Sequence, residues 1–400
     1  MFKNLSTFFK PKLIVIYLYI LFSFIAKPPM MPEVYVTYSI YLIMGYAMLV
    51  VVKDRVVYWS KYHTWSLSII LLCFMSIVYA HNDEVAYNGI YTLIIPFALS
   101  FSFIQLISTK EDIKNVLIIL ALSGGILYVL MMKHNLLYIT DRLGDELSGN
   151  ANAFASMILL STIAAICSIY LSKNALLRMV MIGVIILDYH MLLLSEGRKY
   201  LVAPILFCII LSFKASGFKI SRLAMIIGII IISIPIIISI LLSLDVISDS
   251  LIARFEMTFA MMEGQTGMMG AGDIERQNMI NSGLRYFSNS PIWGNGQGNF
   301  SYLFSLENSS GHIGHYSHNN YVELLCNLGI IGFIVYYIFY YRILRRTFKA
   351  NTPVTNIVFC FFITIMILEL SIVSYFTQYL LQIIICIAAL AIYGRQKIKK

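Results

Sequence analysis

Charge is scarce in this chain: only 12% of its 400 residues are charged, whereas 59% are hydrophobic. A water-soluble globular domain carries about 25% charged residues. The chain therefore lacks the polar groups that soluble domains of this total length need to cover their surface. This shortage excludes a soluble protein and indicates a polytopic membrane protein with most of its surface facing lipid.

Cysteine is also sparse, and its arrangement argues against two kinds of stabilising site. No two of the six cysteines are close in sequence, and no Cys-x-x-Cys pair or Cys/His ligand spacing occurs. Disulfide frameworks and structural zinc sites usually show such spacings. Each cysteine lies in an apolar run, which predicts a buried apolar side chain. The six are Cys73, Cys167, Cys208, Cys326, Cys360 and Cys386.

Long apolar runs dominate what the sequence does contain. A helix that spans a bilayer needs about 20 mostly apolar residues. Twelve segments fit this requirement, the first and eighth being short, and they predict an all-α polytopic membrane protein with about twelve transmembrane helices. The segments are roughly 13–26, 34–52, 64–80, 87–107, 113–132, 153–171, 176–194, 200–213, 222–242, 320–341, 354–373 and 376–393.

The basic residues are distributed unevenly among the segments that connect these helices. With the N-terminus in the cytoplasm and the sides alternating, 21 of the 29 Lys and Arg residues lie in cytoplasmic segments. Membrane proteins are oriented by cytoplasmic enrichment of this kind. The pattern predicts both termini in the cytoplasm, and it accounts for the net charge of +9 without nucleic acid as a partner.

This topology divides the chain into three regions. Residues 1–242 hold helices 1–9, residues 243–319 form a large external loop between helices 9 and 10, and residues 320–400 hold helices 10–12 and a cytoplasmic tail. Loops of this length are usually functional or disordered. Helical patterns around 249–263 and 273–289 favour an ordered external loop that carries catalytic elements.

External arginines are the first candidate functional residues, because topology favours Lys and Arg on the inside. Arg198 lies in a short polar break between helices seven and eight. A guanidinium group is permanently charged and binds phosphate through a planar fork, so several that converge would suit a diphosphate. Solvated charges or ion pairs with nearby carboxylates, Glu196 among them, are the alternative. The arginines of the external loops are Arg142, Arg254, Arg276 and Arg285.

Three of the seven histidines, His312, His315 and His318, fall just before helix ten. A neutral imidazole can accept a proton near pH 7, which makes each a candidate general base. Metal binding would require the three rings to share one helical face, and Gly311 and Gly314 argue against a helix here. A catalytic base and a solvated polar loop remain the two main interpretations.

Alternating glycines at positions 294, 296 and 298 resemble the start of a dinucleotide-binding loop. The context excludes that function, because no β-strand and helix pattern surrounds them. A tight turn, or a close approach of the backbone to a ligand, fits better.

An ionisable pair lies inside the apolar seventh helix, at Asp188 and His190. Ionisable residues within a bilayer are costly and face protein or water. Their proximity in sequence predicts a structural hydrogen bond between the two side chains.

Four blocks of sequence occur in a fixed order between about residues 190 and 335. They are Leu194-Ser195-Glu196-Gly197-Arg198, Arg276 to Leu284, Pro291 to Phe300, and His318 to Leu325 followed by Gly329 to Phe333. In this order they resemble the O-antigen ligase/polymerase superfamily, which shows an Arg upstream of a Pro, a G-x-G-x-x-x-F turn and an H-N-x-Y motif. The first block departs from the family pattern, since Gly197 replaces the usual Ser and Lys199 the usual Gly.

The resemblance implies a membrane-embedded glycosyltransferase of the GT-C type that acts without a metal or cofactor. By the same resemblance, Arg198 and Arg276 hold the diphosphate of an undecaprenyl-diphosphate-linked oligosaccharide, and His318 activates the acceptor hydroxyl. Arg142 and Arg285 have no firm family counterpart, and we add them as substrate-binding residues. Asn319 and Tyr321 are expected to orient the His318 ring or the acceptor sugar.

These expectations favour an O-antigen or capsular polysaccharide polymerase in the bacterial inner membrane, with its active site facing the periplasm or cell exterior. An O-antigen ligase that transfers the glycan to lipid A-core is the first alternative. A lipid-linked oligosaccharide flippase or transporter is the second, although the sequence shows no internal repeat of the kind many transporters have. Expected partners are the lipid-linked oligosaccharide, membrane lipids and a chain-length regulator protein.

Overall fold

The architecture is helical throughout the residues that the computed structural model describes, which are 8–138, 142–225, 249–262, 271–308, 314–376 and 378–398. In these ranges the only strands are β1 (Tyr58–Trp59) and β2 (Gln396–Lys397), which pair antiparallel. The helices are α1 (Pro11–Ile25), α2 (Val34–Asp54), α3 (Lys61–Ser76), α4 (Asp83–Leu106), α5 (Lys110–Lys133), α6 (Asp145–Ser148), α7 (Ala151–Leu171), α8 (Ala175–Ser195), α9 (Arg198–Ala215), α10 (Asp249–Met262), α11 (Ala271–Asn289), α12 (Asn299–Glu307), α13 (Asn320–Phe348), α14 (Pro353–Leu368) and α15 (Tyr379–Tyr393).

Seven helices within the described ranges are long and apolar enough to cross a membrane. They are α2, α3, α4, α5, α7, α8 and α13, where α3 is extended to Tyr79 by a 3₁₀ turn. Three further apolar helices, α1, α14 and α15, are shorter. These helices are consistent with the predicted polytopic membrane protein. The count of twelve spans stays a prediction, because most of the ninth segment, 222–242, lies outside the described residues.

One predicted helix ends early. The apolar pattern extends to residue 373, but α14 stops at Leu368. The next residue, Glu369, is fully buried and accepts hydrogen bonds from the hydroxyls of Tyr336, Tyr337 and Tyr340. A buried carboxylate needs such partners, and the chain turns at Glu369 to provide them.

The first of two compact units comprises residues 1–54, 106–264 and 350–361. Its central helix α7 is buried along most of its length and packs against α5, where the Ser161 hydroxyl donates to the Ala121 carbonyl at 3.0 Å. Helices α8 and α9 also pack on α7. The polar break between α8 and α9, which includes Arg198, belongs to this unit.

The second unit comprises residues 55–105, 265–349 and 362–400. Its central helix is α13, which receives α3 through Trp65: the indole N–H donates to the carbonyls of Val335 and Tyr336, and the ring stacks on Phe339 at 4.6 Å. Helices α11, α12 and α15 also pack on α13. His318 lies just before Asn319, the N-cap of α13, so this helix positions the candidate general base.

A break at Gly329, where φ is +62° and ψ is −166°, interrupts α13. The break leaves peptide groups of α13 without partners in the helix, and the loop 291–296 forms hydrogen bonds with them. The N–H groups of Asn295 and Gly296 donate to the carbonyls of Cys326 and Asn327, each at 2.9 Å, and the Ile330 N–H donates to the Pro291 carbonyl at 2.9 Å. Broken helices at membrane depth require such internal partners.

The alternating glycines make this contact possible. Gly294, Gly296 and Gly298 all have positive φ, and a Cβ on Gly294 would lie 2.5 Å from the Asn327 carbonyl. The predicted tight turn is therefore confirmed. Its close backbone approach is to the interrupted helix α13.

We expect Gly294→Ala to destabilise the protein, because it adds a Cβ at positive φ and forces the loop away from α13. The left-handed conformation alone costs a non-glycine residue about 1–2 kcal/mol, and the backbone overlap adds to it. Gly183→Ala on α8 is the matched control, since its Cβ would meet nothing within 4 Å. Thermal unfolding of the purified proteins should show a lower midpoint for Gly294→Ala alone, and equal midpoints would contradict the assignment.

All six cysteines are free, which agrees with the predicted absence of a disulfide framework. Five are buried as expected. The expectation was wrong for Cys208, which is exposed on α9. An apolar run does not reveal which of its residues face lipid.

Candidate active site

The polar break between α8 and α9 is built around one residue in a left-handed conformation. Helix α8 ends at Ser195, Glu196 adopts φ +54° and ψ +23°, and α9 begins at Arg198 after Gly197. Glu196 is nevertheless largely buried. The reversal places the first turn of α9 next to the end of α8.

Arg142 docks a separate loop onto this break. The N–H of its neighbour Leu143 donates to the Leu194 carbonyl at 2.9 Å. The Arg142 guanidinium donates through Nε and Nη2 to the Ser195 carbonyl at 3.2 and 3.0 Å, and its Nε lies 3.9 Å from Glu196 Oε2. Two arginines predicted from sequence, Arg142 and Arg198, thus lie at the same break.

Arg254 on α10 is the third arginine of this group. Its Nε lies 3.1 Å from Glu196 Oε2, and its carbonyl accepts a hydrogen bond from Arg198 Nη1 at 2.6 Å. We call Arg142, Arg198, Arg254 and Glu196 the arginine cluster. Sequence reasoning noted Arg254 only as one external arginine among several, because nothing local links it to a break 56 residues away.

In the second unit, Tyr316 lies within electrostatic range of Arg276, and its ring contacts the ring of His318. Burial raises the pKa of the Tyr316 phenol, the positive charge of Arg276 lowers it, and the carboxylate of Glu323 raises it. The Tyr316 and His318 rings lie 4.2 Å apart. Arg276 also pairs with Asp273 at 2.8 Å, which is the ion-pair alternative for an external arginine. The structure thus gives Arg276 a carboxylate partner on its own helix and places it within electrostatic range of Tyr316.

His318 is held in an unusual backbone conformation, with φ at +55°. Contacts on both sides fix it. The Ser317 N–H donates to the carboxylate of buried Glu323 at 2.7 Å, and the Ser317 hydroxyl donates to the Asn319 carbonyl at 2.8 Å. Non-glycine residues at positive φ are uncommon and often occur at functional sites. The half-buried His318 ring is therefore positioned by its surroundings rather than by a regular helix.

Asn319 and Tyr321 make contacts within the second unit. Asn319 caps α13 by accepting from the N–H groups of Tyr321 and Val322 at 3.0 and 3.2 Å, and its amide donates to the Leu370 carbonyl. The Tyr321 hydroxyl donates to the Met366 carbonyl at 2.7 Å, and its ring stacks on Tyr337. Both residues hold the start of α13 in place beside His318, and their role toward substrate stays a prediction.

Arg285 forms an ion pair that the sequence left open as an alternative. Its guanidinium contacts both carboxylate oxygens of Glu307, which joins α11 to α12. The Tyr286 hydroxyl donates to the same carboxylate, and burial together with this hydrogen bond raises the pKa of Tyr286 to about 12. The predicted substrate-binding role of Arg285 therefore stays a prediction about a residue with a defined internal partner.

The described residues do not support a metal site. Within the described ranges, no group of three or more His, Cys, Asp or Glu side chains could hold a metal ion. His312 lies outside those ranges. A metal-free mechanism accordingly stays a prediction.

The predicted hydrogen bond between Asp188 and His190 was wrong. His190 Nδ1 lies 3.0 Å from the Tyr128 hydroxyl, while Asp188 accepts from the Thr162 hydroxyl at 3.3 Å. Side chains two positions apart on a helix do not face each other. Each residue therefore contacts a different neighbouring helix.

Comparison with known families places these residues in context. Residues 183–337 match a family model described as O-antigen ligase. The matched segment contains Arg198, Arg254, Arg276 and His318, whereas Arg142 precedes it. No match is found among the curated proteins. The match confirms the resemblance of this segment to the O-antigen ligase/polymerase superfamily.

Proposed function

We propose that this chain, whose residues 183–337 match the O-antigen ligase family, is an O-antigen or capsular polysaccharide polymerase. It transfers the growing glycan from undecaprenyl diphosphate to the next lipid-linked repeat unit as a metal-independent, GT-C-type glycosyltransferase. The observation that carries the proposal is His318, which the matched segment holds at positive φ with its ring against Tyr316.

The reaction requires two kinds of assistance, and the proposed residues can supply both. The acceptor hydroxyl oxygen attacks the anomeric carbon of the donor sugar while the bond from that carbon to the diphosphate oxygen breaks. His318 takes the hydroxyl proton, as a general base. Arg276 and Arg198 bind the diphosphate and stabilise the negative charge that develops on it, as preorganised cations do at many enzyme sites.

The O-antigen ligase function is the second candidate, because the matched family is described as O-antigen ligase. Both functions use the same donor and differ in their acceptor. Purified protein in liposomes with a single undecaprenyl-diphosphate-linked repeat should yield a ladder of longer glycans if it is a polymerase. Product that forms only after lipid A-core is added would contradict the polymerase and establish the ligase.

We also propose twelve spans, both termini in the cytoplasm and residues 243–319 outside the inner membrane. Under this topology, the reacting groups of residues 276–321 face the periplasm or cell exterior, where a chain-length regulator protein could act on the enzyme. The uneven distribution of Lys and Arg supports the orientation.

Reporter fusions test the topology. A fusion after Ala350 should report the cytoplasm, and one after Asn308 should report the exterior, because α13 separates the two positions. Paired alkaline phosphatase and green fluorescent protein fusions give opposite signals on the two sides. If both positions reported the same side, the proposed orientation of the active site would be wrong.

A further inference from the structure

The arginine cluster contains a carboxylate, that of Glu196, which pairs with two of its three guanidinium groups. Glu196 Oε2 lies 3.1 Å from Arg254 Nε and 3.9 Å from Arg142 Nε. Arg198 is tied to the same group through the Arg254 carbonyl. Its four members, all described residues, contribute three positive charges and one negative charge.

The backbone at Glu196 indicates that this position is more than a helix end. Left-handed residues after a helix are usually glycine, because a Cβ is disfavoured there. This chain instead has Glu196 at φ +54°, with Gly197 one position later. Uncommon backbone conformations of this kind persist where the surroundings hold them and cluster at functional sites. The ion pairs with Arg142 and Arg254 are the surroundings that hold Glu196.

The same point is favourable for phosphate. A carboxylate oxygen bound by guanidinium groups occupies a position that a phosphate oxygen can occupy with the same donors. Helix α9, 18 residues long, begins at Arg198 without a side-chain cap from Gly197, and the positive end of its dipole faces this region. Guanidinium groups and a helix N-terminus therefore act on the same point.

We propose that the arginine cluster is a phosphate-binding site in which Glu196 is an internal counter-ion that a phosphate group displaces. Arg254 then becomes a binding residue for the diphosphate of the lipid-linked donor, beyond the family-derived role of Arg198. This assignment rests on the proposed function for the identity of the ligand. Glu196 holds the arginines in place before the donor arrives and weakens the binding of any anion that must replace it.

Two substitutions test the proposal, because they should change the affinity for pyrophosphate in opposite directions. The probe is inorganic pyrophosphate, and its dissociation constant is measured by calorimetry on the full chain in phosphatidylcholine nanodiscs. Arg254→Ala removes a charge-assisted contact and should weaken binding by on the order of tenfold. Glu196→Gln removes the competing charge and should tighten binding by about threefold or more. Arg254→Lys should recover only part of the loss, because it keeps the charge without the planar fork.

Arg178→Ala is the matched control. Arg178 lies at the opposite end of α8 from Glu196, and its guanidinium donates to the Ser172 carbonyl, so pyrophosphate binding should not change. Thermal midpoints of all variants identify any that misfold. If Glu196→Gln weakened binding as Arg254→Ala does, Glu196 would be part of the scaffold and the counter-ion role would be wrong. Unchanged binding in Arg254→Ala would overturn the site itself.

The source of the phosphate is tested by competition. Undecaprenyl diphosphate should displace pyrophosphate from the wild type, whereas phosphatidylglycerol in the nanodisc should not; the reverse would contradict the donor as the ligand. The outcome is independent of the polymerase assay. Pyrophosphate binding that responds to Arg254 and Glu196 without any glycan product would reject the proposed function and keep the site. Glycan product with binding insensitive to both residues would reject the site alone.

Discussion

His318→Ala should lose most glycosyl transfer, on the order of 10²–10⁴-fold, as expected when a general base is removed. The physical reason is that the acceptor hydroxyl then attacks the donor sugar without a group to take its proton. Binding of the lipid-linked donor should survive, because the proposed diphosphate contacts are arginines elsewhere. Initial rates of glycan formation and donor binding, both measured on the purified protein in liposomes, separate the two effects.

Two controls distinguish a base from other roles of this loop. His315→Ala should be mild, because the His315 ring packs against Phe304 at a centroid distance of 5.6 Å and has no proposed role in the reaction. Exogenous imidazole should restore part of the activity of His318→Ala, which a purely structural defect would not allow. Loss of wild-type activity on chelation, with recovery on adding a divalent ion, would return the histidines to the metal-ligand interpretation.

The membrane helices were the most predictable part of the fold. Backbone polar groups within a bilayer must be satisfied internally, so an apolar run of spanning length is almost always a helix. The short eighth segment, predicted as 200–213, is present as α9. The interruption of α13 was missed. Gly329 was visible in the sequence, but the partner that satisfies the broken helix is a loop more than 30 residues upstream, and apolar periodicity contains no information about it.

The sequence indicates which residue types belong to the candidate site, but it does not indicate which residues they contact. External arginines are unexpected, which makes Arg142 and Arg198 candidates, yet their convergence with Arg254 depends on packing between α9, α10 and a distant loop. Sequence spacing does not indicate Glu307 as the partner of Arg285, because the turn between α11 and α12 brings the two into contact. Long-range ion pairs follow from tertiary structure, which sequence spacing alone does not encode.

Replacing Arg276 or Arg198 with Ala should reduce glycosyl transfer by about 10²–10³-fold, the usual effect of removing one group that stabilises charge in a transition state. Each arginine is expected to bind the donor diphosphate without a metal ion. Lys at either position should rescue poorly, because a point charge cannot reproduce the bidentate fork. The measurement is the polymer formed from the lipid-linked repeat at equal amounts of protein in the membrane.

The ion pair between Arg276 and Asp273 allows a more specific test of the role of Arg276. Arg276 pairs with Asp273 on its own helix at 2.8 Å, and both side chains are partly exposed. An exposed ion pair of this kind contributes at most about 1 kcal/mol to stability, so Arg276→Ala should leave the thermal midpoint nearly unchanged while activity is lost. Asp273→Asn breaks the same pair but keeps the guanidinium, and it should retain most activity. If Asp273→Asn and Arg276→Ala lost activity equally, the ion pair itself would be the essential feature, and Arg276 would have no separate role in binding diphosphate.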